Sequence, residues 1–391
     1  MHLPGREDRI AEPHSLSPHA IARAIAAKTD RPYAIYGHSL GARLGFEVIH
    51  AARQLGAPPP TRFYAAAARP PDVSDPLAPS VERPDGEFLT ILIDRISAPT
   101  ELRDEPELRE LLLPVLRGDF GWIHSRRYMP EPALDVPLVA LAGADDPVSG
   151  PLDMLGWSRH TAASFRLHTL PGDHFFLRTA ADDIARLIAE DLIASNKAGP
   201  GRTCRPPRRG EAHVWLADLD RLPGLCAARS ELSPDEDRRV ARLRGDENRH
   251  RHIGRCVATR RILRAYGIDA TAPAPAGGAA GLPGARGPVG LRIDLSQSGR
   301  LLLIGVTMED GIGVCMRQLR GWPPTAALRA ETAERAMLRA ADLDRDAFGA
   351  RRPDPVARHV THLPLDGAIA AVALAAERTR LRFEIVTEAT L

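Results

Sequence analysis

The first half of the chain is predicted to be an α/β fold with a mostly parallel sheet covered on both faces, and three observations predict it. Short apolar runs at residues 32–36, 62–68, 137–142 and 165–170 alternate with helical stretches, as in a covered parallel sheet. Three of those runs end in turns carrying Ser, Asp and His in that order: Gly37-His38-Ser39-Leu40-Gly41, Gly143-Ala144-Asp145-Asp146 and Pro171-Gly172-Asp173-His174. Between Arg69 and Pro137 the alternation gives way to helical pattern alone.

Taken in order, Ile10 to about Ala27 reads as a polar turn and then a helix. Pro32 to Tyr36 is a strand that enters the serine turn. The helix after it offers Leu44, Phe46, Val48 and Ile49 as apolar positions up to Leu55. Arg62 to Ala68 is the next strand. Phe88–Ile96, Glu107–Leu116 and Phe120–Arg126 are helical pieces of a lid spanning about residues 76–130. Pro137–Ala142 and Phe165–Leu170 complete the strands. Ser195 to Gly210 is polar and rich in Pro and Gly, the composition of an interdomain linker.

A second pattern begins near Glu211, predicting an α+β domain over 211–391 after a first domain over 1–194. His213–Leu219 reads as a strand. Ser233 is the N-cap and Pro234 the first position of an arginine-rich helical region running to Tyr266. Ala270 to Gly290, rich in Ala, Pro and Gly, reads as a flexible loop. Leu291–Gly299, Leu301–Val306 and Gly311–Val314 follow as extended segments.

Composition excludes several classes. With 391 residues, 44% hydrophobic, the chain can build sizeable cores. A net charge of +2 gives no reason to expect a nucleic-acid or membrane-surface partner. No apolar run reaches the roughly 18 residues of a membrane span, and the N-terminus lacks an apolar signal core. Cys204, Cys226, Cys256 and Cys315 are scattered without a CxxC pair. Neither a zinc site nor a disulfide framework is expected, and a cytoplasmic location fits.

The serine turn is a GxSxG pentapeptide between a strand and a helix. A sharp turn there lifts the hydroxyl off the sheet end, and the glycines at both flanks, Gly37 and Gly41, are expected to allow the strained backbone and close helix packing. The pentapeptide alone is common; the order of acid and base after it gives it meaning. A serine nucleophile needs a base, and the base needs an orienting acid. His174 is the expected base. Asp146 is preferred as the acid, with Asp145 as competitor and turn-capping its alternative role. The backbone N–H of Leu40 would serve an oxyanion hole. His38 is expected to pack beside the turn rather than to act as a base.

Five separated segments carry a resemblance: PGREDR (Pro4–Arg9), YGHSLGARLGFEV (Tyr36–Val48), LAGADDPV (Leu141–Val148), GWSRHT (Gly156–Thr161) and PGDHFFL (Pro171–Leu177). Together, over residues 1–194, they resemble the type II thioesterases of polyketide and nonribosomal peptide biosynthesis. The resemblance implies the α/β-hydrolase fold with a helical lid and a Ser39–His174–Asp146 triad needing no cofactor. It also implies an acyl or peptidyl carrier protein as partner, with hydrolysis of acyl groups from its phosphopantetheine arm. Family members carry further residues ahead of PGREDR, including an HAGG-like loop that supplies an oxyanion N–H. The expectation is therefore a start upstream of Met1, with Met1 at an internal valine codon. The alternatives are a non-catalytic carrier-protein or coenzyme A binding module and a generic esterase.

The second domain, over about 211–345, resembles 4′-phosphopantetheinyl transferases of the surfactin-synthetase-activating type. The opening strand, the LSPDE helix start, an NLSHSG-like segment and an IGVDVE-like segment come in family order. The departures fall on the chemistry. Where the family has two magnesium-binding acids stand Cys315 and Arg317. In Glu331–Arg339 the position of the third acid is Arg335 and that of the lysine is Glu334. Gln297 takes the place of a histidine that contacts coenzyme A phosphate. Mg²⁺ wants oxygen ligands, and arginine cannot deprotonate to serve. The magnesium and coenzyme A site is therefore expected to be degenerate, leaving Gln297, Arg317 and Arg335 as weak coenzyme A candidates and no metal site. Transferase activity with relocated ligands is the alternative. Incubation of an apo carrier protein with coenzyme A and Mg²⁺ should give no holo product by mass; magnesium-dependent conversion would refute the degenerate reading.

Overall fold

The computed structural model describes residues 2–28, 30–196, 204–208, 210–268, 291–308, 312–319, 326–340, 359–365, 368–374 and 380–386. Most of the linker assigned to 195–210, and the low-complexity stretch 270–290, lie outside them. The chain divides into two compact units, Met1–Ile193 and Ala194–Leu391.

In the first unit, α1 (Pro18–Ala26) starts at Ser17, whose side chain accepts the Ala20 N–H at 3.3 Å, with Pro18 in the first helical position. Then come β1 (Ala34–His38), α2 (Leu40–Gln54), β2 (Arg62–Ala66), the lid helices α3 (Asp85–Ile96), α4 (Glu101–Asp104) and α5 (Pro106–Ser125), and β3 (Leu138–Gly143). A short α6 (Pro151–Met154), β4 (Phe165–Leu170), a short α7 (Phe176–Thr179) and α8 (Ala181–Asn196) follow. The strands pair in parallel in the order β1-β2-β3-β4 within this unit. Their period of two sorts side chains by face. Ile35 joins the cluster of α1 and α2 with Leu44 and Val48, while Tyr36, Tyr64, Ala66, Val139 and Leu141 pack with Phe176 and Ile184 under α8. Both faces being covered, β2 and β3 are buried at every position, which is why they read as unbroken apolar runs. Asp191 of α8 fastens that helix to the sheet, accepting the Tyr64 hydroxyl at 2.9 Å and pairing with Arg62 and Arg166.

The lid corrects the sequence reading in one place. Glu107–Leu116 and Phe120–Arg126 were expected as separate helices, broken at Arg-Gly-Asp, but α5 runs unbroken through Gly118. A Cβ at Gly118 would stand 2.4 Å from His14 Nδ1, so this glycine admits a close approach within the helix instead of ending it. Asp119 beside it pairs with Arg6 and lies 2.8 Å from His14 Nε2. The PGREDR segment is thus joined to the lid. Phe88, Leu89, Leu92 and Ile96 of α3 pack with Leu108, Leu112, Leu113 and Leu116 of α5 in a core of their own.

The second unit opens with β5 (Glu211–Asp218), a short α9 (Pro223–Ala227), α10 (Pro234–Arg242) and α11 (Asp246–Ala265). Ser233 and Glu236 form a reciprocal capping box at the start of α10. The arginine-rich region is two helices, parted at Gly245, whose φ of +81° suits glycine. β6 (Arg292–Ser298), β7 (Leu301–Thr307), β8 (Ile312–Gln318), α12 (Ala326–Ala340), β9 (His359–Leu365), β10 (Ala368–Leu374) and β11 (Arg380–Ile385) complete it. β11 pairs in parallel with β5, which pairs antiparallel with β7 and through it β6; β8-β10-β9 is a separate antiparallel sheet. The last three strands have no counterpart in the sequence reading, which ended near residue 345.

Buried histidine chemistry marks this unit. Tyr266 donates its hydroxyl to His213 Nδ1 at 2.7 Å and accepts the Trp215 indole N–H at 2.9 Å. His213 Nε2 lies 3.2 Å from Glu211 Oε1. Burial pushes His213 down to about 4, outweighing the upward pull of Glu211, and burial likewise takes His38 and His252 down to about 4. The native state therefore refuses protons that the unfolded chain accepts once the pH falls below the ordinary histidine value of 6.5. The stabilisation is complete above that value and is lost progressively down to about 4. The unfolding temperature should fall as pH is lowered through this window, with proton uptake on unfolding measurable by calorimetry in buffers of different ionisation enthalpy. A flat profile would contradict neutral burial of these rings.

Candidate active site

The site forms where the C-terminal ends of β1, β3 and β4 meet. Ser39, between β1 and α2, has φ 55° and ψ −120°, a conformation that costs a non-glycine residue about 1–3 kcal/mol. Its N–H donates to Ala66 O at 2.8 Å, and its carbonyl accepts from Ala42 N at 3.0 Å. Gly37 makes the turn possible, since a Cβ there would stand 2.1 Å from Gly41 O. Gly41 itself would accommodate a Cβ with nothing inside 4 Å, so of the two glycines only the first is required by packing, contrary to the expectation from the motif.

His174 follows β4. Its Nε2 lies 3.0 Å from Ser39 Oγ and its Nδ1 lies 2.9 Å from Asp146 Oδ2. The other carboxylate oxygen of Asp146 accepts the N–H groups of Val148 at 2.8 Å and Ser149 at 3.0 Å. Burial alone would raise the Asp146 carboxyl, but the His174 hydrogen bond, its charge and those two backbone donors outweigh it and hold the group below its ordinary value. Asp145 is exposed, and its backbone N–H donates to Gly172 O at 3.0 Å. Gly143 lets the Asp146 and His174 loops touch, because a Cβ there would meet Asp173 O at 2.4 Å. Leu40 opens α2, so its N–H is among the first-turn groups that have no partner within the helix, at its positive end.

His38 was expected to pack beside the turn. Its ring does sit 5.1 Å from that of Phe176, but its Nε2 also donates to the carbonyl of His174 at 2.8 Å. Nothing in the GxSxG pattern signals that bond. The other recurrent segments hold the loop after β2. Trp157 is buried and donates to Ala68 O at 2.6 Å, Arg159 reaches Asp72 at 2.7 Å and His160 Nε2 reaches it at 2.8 Å. Arg43 of α2 donates to Val73 O at 2.6 Å.

The candidates of the second unit are not gathered in one cluster. Gln297 is exposed on β6 and donates to Gly299 O at 3.1 Å. Cys315 is buried with Ala336, Ala371 and Ala373. Arg317 and Arg335 do come together, at 3.1 and 3.0 Å from Glu331 Oε1. Glu331 is the counterion the sequence reading missed, although it opens the segment in which Arg335 was assigned. Among the described residues there is no group of three or more His, Cys, Asp and Glu that could hold a metal, and no helix long and apolar enough to cross a membrane.

The first unit has the α/β-hydrolase fold, and comparison with known proteins makes its class specific. The Thioesterase domain family model matches residues 2–192. The chain is 34% identical over 197 residues to "Linear gramicidin dehydrogenase LgrE" of Brevibacillus parabrevis, covering 49% of this chain and 75% of that protein. It is 33% identical over 224 residues to "Thioesterase PikA5" of Streptomyces venezuelae, covering 54% and 78%. Among solved structures, the RedJ thioesterase of the prodiginine biosynthetic pathway in Streptomyces coelicolor is 30% identical with a TM-score of 0.44, covering 48% of this chain and 76% of that one. The chain belongs to the thioesterase family, and is a thiolester hydrolase.

Asp146→Asn should depress hydrolysis far more than Asp145→Asn, because the wrong imidazole tautomer costs about 10⁴ in kcat in the serine-protease case. Steady-state kinetics on an acyl thioester with both variants decides it, and the opposite ranking would move the acid to Asp145.

Proposed function

We propose that the first unit releases acyl groups from the phosphopantetheine arm of acyl or peptidyl carrier proteins in polyketide or nonribosomal peptide biosynthesis, in the manner of a type II thioesterase. The observation that carries the chemistry is the continuous chain from Ser39 Oγ to His174 Nε2 at 3.0 Å and from His174 Nδ1 to Asp146 Oδ2 at 2.9 Å. The thioester substrate is supported by the relative named Thioesterase PikA5, and release in a biosynthetic pathway by one named a probable cadicidin biosynthesis thioesterase.

In this reading Ser39 Oγ attacks the thioester carbonyl while His174 Nε2 takes its proton. The Leu40 N–H, at the positive end of α2, faces the developing oxyanion. The C–S bond breaks, and His174 returns the proton to the leaving pantetheine sulfur. Water, deprotonated by His174, then attacks the acyl-Ser39 ester; the carboxylic acid leaves and Ser39 regains its proton. Asp146 fixes the Nδ1–H tautomer and offsets the imidazolium charge. No cofactor takes part.

For the second unit we infer a phosphopantetheinyl transferase-like fold without transferase chemistry. Glu331, which could have offered oxygen ligands, is shared by the guanidinium groups of Arg317 and Arg335, leaving a cationic surround that disfavours Mg²⁺.

Ser39→Ala should abolish turnover of an acyl carrier protein, and a fluorophosphonate should label Ser39 in the wild type and nothing in the variant. Undiminished hydrolysis by Ser39→Ala would sink the catalytic assignment.

A further inference from the structure

His38 stands next to the nucleophile in sequence and reaches the base in space. It ends β1, two residues after Tyr36, so the two side chains share the face covered by α7 and α8. Its Nε2 donates to His174 O at 2.8 Å, and its Nδ1 faces the Tyr36 hydroxyl at 3.3 Å. The two bonds require one tautomer. A carbonyl can only accept, so the proton is on Nε2 and the Nδ1 lone pair accepts from Tyr36.

The loop bearing His174 has backbone ties of its own, from Asp145 N to Gly172 O at 3.0 Å and from Phe176 N to Asp173 O at 3.2 Å. Both fall on the residues flanking the base. The tie at the carbonyl of His174 comes from the strand that carries the nucleophile. We propose that His38 is a positioning residue that sets the distance between Ser39 and His174, by fastening the backbone of the base to the strand end that presents the hydroxyl. This rests on the catalytic reading of Ser39 and His174 given above.

The geometry explains why such a tie matters. His174 spans 3.0 Å to Ser39 Oγ on one side and 2.9 Å to Asp146 on the other. About 1 Å of drift in its backbone would carry Nε2 beyond hydrogen-bond range, and misplacement on that scale can cost about 10²-fold in rate. Burial keeps the His38 ring neutral, pushed down to about 4, and holds the Tyr36 hydroxyl protonated, pushed up to about 12. The groups facing the His38 ring are His174 and Asp146, whose charges pull it in opposite directions. The tie is thus formed throughout the neutral range.

The test compares His38→Leu, which removes the donor, with His38→Gln, whose amide N–H₂ lies the same number of bonds from Cα as Nε2. On an acyl carrier protein, His38→Leu should lose about 10²-fold in kcat with KM little changed, and His38→Gln should regain most of it. The far-downfield proton of the His174–Asp146 hydrogen bond, followed by NMR, should broaden or shift in the Leu variant and be retained in the Gln variant. Wild-type kcat in His38→Leu overturns the proposal, as does an equal loss in both variants with the proton signal intact. If the Leu variant shows no cooperative unfolding, Tyr36→Phe decides: reduced kcat with a perturbed proton signal supports the tie, and unchanged kcat and signal overturn it. Ser39→Ala run in parallel separates the two readings, since full turnover there removes the catalytic assignment whatever His38 does.

Discussion

At φ 55° and ψ −120°, Ser39 holds a backbone conformation that a serine does not keep unless its surroundings impose it. The surroundings are the parallel pairing of β1 with β2, the Ser39 N–H bond to Ala66 O, and an α2 that begins at the next residue and is buried through Ala42, Leu44, Phe46, Val48 and Ile49. The sheet stores the strain and the helix prevents its release. One consequence is spatial: the hydroxyl stands clear of the sheet end. Another is electrostatic, because the same bend aims the start of a 15-residue helix at the space in front of that hydroxyl.

Asp146 and His174 reach that space by the logic of parallel strands. All four strands of the unit run the same way, so the loops after β1, β3 and β4 emerge on one edge even though their residues are far apart in sequence. Gly143 removes the side chain that would keep the Asp146 and His174 loops apart, and Gly37 lets the Ser39 turn close on itself. The buried carboxylate of Asp146 is tolerable there because each of its oxygens has a donor: His174 on one, and the Val148 and Ser149 N–H groups on the other.

Strands with both faces covered announce themselves as apolar runs, so the first-unit strands and the order Ser39, Asp146, His174 were legible from the sequence. What stayed hidden depends on long-range neighbours. Gly118 looked like a helix break because the ring of His14, which needs the space, lies more than a hundred residues earlier. The role of His38 is set by a carbonyl 136 residues away, and a backbone carbonyl leaves no mark on residue type. In the second unit, Glu331 went unread as a counterion because its partners come from β8 and from the next turn of α12. β9 to β11 went unread for want of a motif, and pairing of β11 with β5 joins segments from opposite ends of the unit.

The clasp of Asp119 by Arg6 and His14 bears on the order of folding. These partners are 113 and 105 residues apart, so the chain between them, which carries β1 and β2, must be largely collapsed before the clasp can close. Loop-closure entropy makes such contacts late and slow. Arg6 and His14 are thereby among the later residues of the unit to find their place, and the lid is fastened to them only once that collapse has brought the distant partners together.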